Sequence, residues 1–192
     1  MQDDGGLIIM KRFLIILLII ILGIAGCSGP KKGTPQIDNT VDNNVETVEP
    51  DTVEKEIVLY FANSQAQFVV PEYRTVKADK DITEEDFAKL VLEELIKGPN
   101  EENLYKTIPG EVKVLNVEIQ EDTILIDFSR EMYTKHWGGA AGEDMTISSL
   151  VNTMTELKGI KKVLLSVEGM ALNIEHVIVD EPLERMEDKI YR

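Results

Sequence analysis

The chain is poor in the residues that carry most covalent and metal chemistry: one cysteine, two histidines and one tryptophan among 192 residues. A lone thiol forms no intramolecular disulfide and no thiolate zinc cluster. His136 and His176 lie far apart in sequence without an i, i+4 partner, so no local transition-metal motif exists. Both read as partly exposed loop histidines, and no metal or cofactor is expected. Basic residues are also scarce, with 20 Lys and Arg against 35 Asp and Glu and a formal net charge of −15. Such a surface repels nucleic acid and anionic headgroups, which excludes direct nucleic-acid binding. Long uninterrupted apolar sequence is confined to one stretch, Phe13 to Cys27, and that falls short of the roughly 20 residues needed to cross a bilayer.

What the stretch does carry is an address. Lys11-Arg12 precedes it, and it closes on Leu22-Gly23-Ile24-Ala25-Gly26-Cys27. A basic pair, an apolar run and small residues at a cut site are the parts of a secretory signal. Ile24-Ala25-Gly26-Cys27 is similar to a bacterial lipobox. A thiolate is the side-chain nucleophile suited to accept a diacylglycerol as a thioether, so residues 1–26 read as a lipoprotein-type signal peptide and Cys27 as the lipidation site. Two palmitate-like chains anchor stably where one is marginal. The expected location is the extracytoplasmic face of the cell membrane. Asp3 and Asp4 ahead of the basic pair are unusual, and Met10-Lys11-Arg12 makes a more conventional start. Met10 is therefore the expected initiator.

Residues 27–55 read as the lipidated cysteine and a disordered acidic tether. Asp38, Asp42, Glu46, Glu49, Asp51 and Glu54 alternate with isolated valines that form no apolar face. A flexible coil of this length reaches about 30 Å on average and about 95 Å when extended. That holds a domain clear of the membrane.

Residues 56–192 read as one folded domain of ordinary size. Ile57 to Ala62 is a continuous apolar run of strand length, with turn residues at Asn63-Ser64. Phe68 to Val76 is extended but interrupted by Pro71, which places it at an edge. Thr83 caps a helix whose first turn is acidic, with Phe87, Leu90, Val91 and Leu95 on one face and Gly98-Pro99 as the stop. Leu115, Val117 and Ile119, then Ile124, Ile126 and Phe128, alternate about Glu121-Asp122 as a hairpin. A glycine-rich loop over residues 138–143 leads into a second helix bearing Ile147, Leu150, Val151 and Met154. Val163, Leu165 and Val167 form a strand that turns at Glu168-Gly169, and Asp180-Glu181-Pro182 reads as a turn in the tail. The fold class is α+β, a two-layer domain with two helices packed on a small mixed β-sheet.

Several of these segments together resemble the GerMN (sporulation and spore germination) domain. The carriers are Leu59-Tyr60-Phe61-Ala62-Asn63, Val70-Pro71-Glu72-Tyr73-Arg74, Leu92 to Pro99, Ile108-Pro109, Ile126-Asp127-Phe128-Ser129, Gly142-Glu143 and Ile147 to Glu156. The resemblance implies a fold similar to ring-building motifs of secretion-type assemblies, and a non-catalytic envelope lipoprotein of sporulating bacteria. Members often hold two such domains, whereas this chain has room for one. The partners it implies are envelope or sporulation proteins, with self-association and peptidoglycan as further candidates. No catalytic residue comes with it.

Four residues are candidates for a partner interface: Arg74, Trp137, Gly142 and Glu143. Arg74 has a structural reading, pairing with Glu72 or a helix carboxylate, beside a recognition reading. Trp137 has a packing reading, the expected one, beside that of interface anchor. Gly142 belongs to a loop without the Gly-Lys-Ser/Thr ending of a phosphate loop. Glu143 suits a helix start, where acids meet the dipole. The alternative function is a wall-active or ligand-binding enzyme subunit with an acidic cleft around Asp127 and Glu143, since glycosidases use paired carboxylates.

Overall fold

The first strand, β1 (Thr52–Ala62), pairs antiparallel along its whole length with β2 (Val69–Asp79), and together they make a two-stranded sheet. This computed structural model describes residues 51–192. Cys27, the signal segment and the rest of the tether lie outside the described residues. The strand begins ahead of the expected boundary at Glu56, so residues 52–55 belong to the hairpin and not to the tether. Val53 and Lys55 are half-buried and Glu54 and Glu56 exposed, an alternation of burial that the sequence hides because a lysine stands at an inward position.

Helix α1 (Glu84–Lys97) starts where its cap dictates: the Thr83 side chain accepts from the Asp86 amide, and Glu84, Glu85 and Asp86 occupy the first turn. It ends at Gly98, whose φ of 96° is a conformation that favours glycine. Its buried face carries Ala88, Val91, Leu92 and Leu95.

The larger sheet is mixed. β3 (Val114–Gln120) and β4 (Thr123–Phe128) form the expected hairpin; β4 then runs parallel to β5 (Lys162–Val167), which pairs antiparallel with β6 (Met170–Ile174) and with the short β8 (Leu183–Glu184). β6 in turn pairs with β7 (Val177–Val179). A parallel pair needs a long crossover, and here it contains a short helix α2 (Glu131–Thr134) and the buried helix α3 (Ala140–Met154). The α+β reading therefore holds, with the strands divided between two sheets. A bulge between Val114 and Asn116 turns Leu115 outward, where it is half exposed, so it does not share the buried face expected for it.

The core lies between the helices and the alternating inward residues of the strands. Ile124, Ile126 and Phe128 on β4 stand beside Val163, Leu165 and Val167 on β5, all essentially without solvent contact. Each such side chain contributes about 1.5–3 kcal/mol through burial. Helix α3 is buried around nearly its whole circumference, including its polar residues. Ser148 Oγ has no partner among the described residues, but three of the others bond to strand backbone and to the C-terminal segment. Ser149 Oγ donates to the Tyr60 carbonyl (2.5 Å), Thr153 Oγ1 accepts from the Tyr60 amide (3.0 Å), and Asn152 exchanges two bonds with the Met186 backbone. Pairing makes the burial of these hydroxyls and amides tolerable.

Candidate functional site

Two buried glutamates organise the candidate residues. Glu72 on β2 accepts at Oε1 from Arg74 Nε (2.6 Å) and at Oε2 from the amides of Asn100 (2.9 Å) and Glu101 (3.0 Å). Arg74 lies two residues along the same inward face, its side chain 8% exposed, and also donates to the Gly98 carbonyl (2.5 Å) and to Glu94. Every charge in this group has an opposite neighbour. Arg74 is thus a clasp between β2 and the C-terminus of α1, and the pairing with Glu72 and a helix carboxylate is the reading that holds. It offers no free guanidinium to a partner.

Glu143 sits in the first turn of α3, because the helix begins at Ala140 inside what reads from sequence as a loop. It is the helix-start acid expected, and its side chain is fully buried. Oε1 lies 3.2 Å from His176 Nδ1, and Oε2 accepts from the His176 amide at 3.3 Å. His176 and Glu175 form the two-residue turn that joins β6 to β7, and Glu175 Oε2 lies 3.9 Å from His176 Nδ1. Ligand atoms of Glu143, Glu175 and His176 all fall within 4.8 Å of one another. The topology, not any local motif, makes this cluster.

His136 stands beside it in a fixed state. Nδ1 accepts from the Gly138 amide (3.1 Å), and Nε2 faces Thr146 Oγ1 (2.9 Å). That hydroxyl has its own carbonyl acceptors in Thr107 (2.5 Å) and Gly142 (2.9 Å), so the proton between it and the ring belongs to Nε2. Burial holds the His136 pKa below its usual value, against the opposing pull of Glu143 and Glu175. Trp137 stacks on His136 and is 51% exposed, so the packing role expected for it is replaced by a surface one. Gly142 lies directly beneath the indole: a Cβ there would meet Trp137 Nε1 at 2.9 Å.

Asp127 and Glu143 bond to separate partners. Asp127 accepts from Ser166 Oγ (2.7 Å) and the Gly169 amide (2.9 Å), bracing the β5–β6 turn, while Glu143 engages His176. The groove lined by Lys55, Ile82, Phe87, Ile119, Leu157 and Ile160 contains neither carboxylate. Each carboxylate thus faces partners of its own, where an acidic cleft needs two carboxylates free to meet one substrate.

A family model described as Germane, sporulation and spore germination, matches residues 58–173. The chain belongs to this family. Among solved structures, the tandem GerMN domains of the sporulation protein GerM from Bacillus subtilis are 21% identical, with a TM-score of 0.57; the match covers 72% of this chain and 48% of that one. This chain therefore spans about half the length of the tandem protein. The first GerMN domain of the same protein matches at 22% identity and a TM-score of 0.46, covering 72% of this chain and 98% of that one. A candidate lipoprotein from Clostridium perfringens matches at 21% identity and 0.49, covering 68% and 87%. Comparison with curated protein sequences gives no significant match. At 21% identity the match to the tandem domains, with its TM-score of 0.57, speaks to the GerMN-type fold alone.

A further polar cluster that sequence reasoning missed joins the Germane domain to the segment that follows it. Arg185 Nη2 donates to Tyr60 Oη (2.7 Å) and to Glu156 Oε1 (2.7 Å), while Tyr60 Oη donates to the same Glu156 oxygen (2.7 Å). Burial and the bond to Glu156 push the Tyr60 pKa up to about 12. The cluster staples the C-terminal segment to β1 and α3, across sequence separations that no local pattern shows.

Proposed function

We propose that the protein is a membrane-tethered extracytoplasmic lipoprotein, anchored at Cys27, whose Germane domain is a non-catalytic binding or assembly module in sporulation or spore germination. The observation that carries this reading is the set of open sheet edges. Among the described strands β2 pairs with β1 alone, only its first residue, Val69, being bridged by the C-terminal segment at Ile190, and β3 and β7 end the larger sheet. Each presents a large exposed apolar side chain: Tyr73 on β2, Leu115 on β3 and Ile178 on β7. Free edge backbone beside apolar side chains is what strand addition or edge-to-edge association requires. The partners this fits are envelope or sporulation proteins and a second copy of the chain, with peptidoglycan as a further candidate. Membership of a family associated with sporulation and spore germination supports the process. The lipobox-like Ile24-Ala25-Gly26-Cys27 supports the location.

Photo-crosslinkers placed at positions 73, 115 and 178 of the full chain in sporulating cells test the reading. It predicts a discrete crosslinked species at one edge at least, and loss of radiolabelled palmitate from Cys27→Ala. A strict monomer by sedimentation with no crosslinked partner would overturn the assembly role. Muropeptide release abolished by Asp127→Asn with Glu143→Gln would overturn the non-catalytic one.

A further inference from the structure

We propose that Glu143, Glu175 and His176 bind one divalent transition-metal ion of the zinc class, clamping the β6–β7 turn to the first turn of α3. Three observations converge. The candidate ligand atoms lie within 4.8 Å of one another, with Glu143 Oε1 and His176 Nδ1 already 3.2 Å apart and Glu175 Oε2 3.9 Å from the same nitrogen. Around a tetrahedral zinc with bonds of about 2.0–2.2 Å, neighbouring ligand atoms stand about 3.4 Å apart. Glu175, the more distant of the two carboxylates from that nitrogen, has an exposed side chain that can move to close the triad round an ion.

The charge balance points the same way. Glu143 is wholly buried, yet no Lys or Arg pairs with it among the described residues, and its partners are the amide and ring of one histidine that is itself 62% exposed. A buried carboxylate is costly unless a cation compensates it. Two carboxylates and a neutral imidazole leave two negative charges, which a divalent ion cancels. The nitrogen ligand favours zinc-type ions over calcium or magnesium, which select all-oxygen sites.

The surroundings define the rest of the site. His136 is not a fourth ligand, because Nδ1 accepts from Gly138 and Nε2 donates to Thr146, leaving no lone pair free. The backbone of Gly138 lies against Glu175: a Cβ there would meet Glu175 Oε1 at 3.2 Å. The exposed side of His176 leaves the fourth position to water and gives the ion a route in.

The full chain, purified in detergent micelles and stripped with chelator, is titrated with Zn²⁺ by calorimetry and with Co²⁺ by visible absorption. One ion per chain, a Co²⁺ spectrum with a nitrogen ligand, and a rise in thermal midpoint with saturating Zn²⁺ are expected. His176→Ala and Glu175→Gln each weaken binding by about tenfold or more and abolish the thermal shift. Both lie in an exposed hairpin turn, so they test the site even if Glu143→Gln does not fold; circular dichroism verifies their folding. Absence of one-to-one binding overturns the proposal, and so does binding that both variants leave unchanged, which would locate the ion elsewhere on the acidic surface.

Discussion

Glu72 and Glu143 are the same residue type at nearly the same burial, 5% and 0% exposed, and the structure treats them in opposite ways. Glu72 is saturated: an arginine on its own strand and two amides of one loop satisfy its oxygens. Glu143 is left with a histidine and a long amide contact from a turn thirty-three residues away. A fully satisfied buried charge is a brace, and its removal damages the fold. An undersatisfied buried charge contributes less to the fold and more to whatever joins it. The first region is architecture, and the second is where a ligand has something to complete.

The largest expected effect lies in the first region. Arg74→Ala strips the cation from buried Glu72 and should cost about 3–5 kcal/mol in urea unfolding. Matched glutamine substitutions then sharpen the contrast. Glu72→Gln loses charge-assisted bonds to Arg74 and two amides, at a cost of about 2–3 kcal/mol. Glu143→Gln keeps an oxygen acceptor for the His176 amide and removes a poorly compensated charge, so with chelator present its stability should lie within about 1 kcal/mol of the parent protein. Equal losses in the two denaturation curves would erase the distinction between the regions.

The two regions also differ in how far the sequence reveals them. Glu72 and Arg74 are i, i+2 on one strand, so their shared face follows from the period of two, and pairing is readable without coordinates. The cap at Thr83, the stop at Gly98 and the hairpin about Glu121-Asp122 are local in the same sense. Glu143 meets His176 only because a parallel crossover and two further turns return the chain to the start of α3. Helix α3 hid its burial for another reason. Its Ser149, Asn152 and Thr153 look like a solvent face, and they are inside because backbone groups of Tyr60 and Met186 meet them. Leu115 misled in reverse, since a one-residue bulge shifts its side chain to the other face.

A smaller effect probes the surface of the second region. Gly142→Ala adds a Cβ 2.9 Å from the indole nitrogen of Trp137, which must move off the helix. Alanine is better than glycine in a helix by about 1 kcal/mol, and loss of the indole contact offsets that gain. Net stability should change by less than about 1 kcal/mol, while the fluorescence of the sole tryptophan shifts toward that of a more exposed indole. An unchanged emission spectrum would mean that Trp137 does not rest on α3.

The smallest effect is a slope in pH. Burial holds the His136 pKa in the folded protein below the 6.5 of an unperturbed imidazole, while Glu143 and Glu175 pull it back. The unfolded chain therefore takes up a proton as pH falls through about 6.5, and the folded chain does so only at lower pH. The stability contributed by neutral His136 is complete above that value and is lost as pH drops from it toward the folded pKa. The slope from one such group is at most about 1.4 kcal/mol per pH unit. In chelator, His136→Gln should flatten the decline of the thermal midpoint between pH 6.5 and the acid limit. If His136→Gln leaves the slope intact, the buried neutral ring is not what couples the second region to protons.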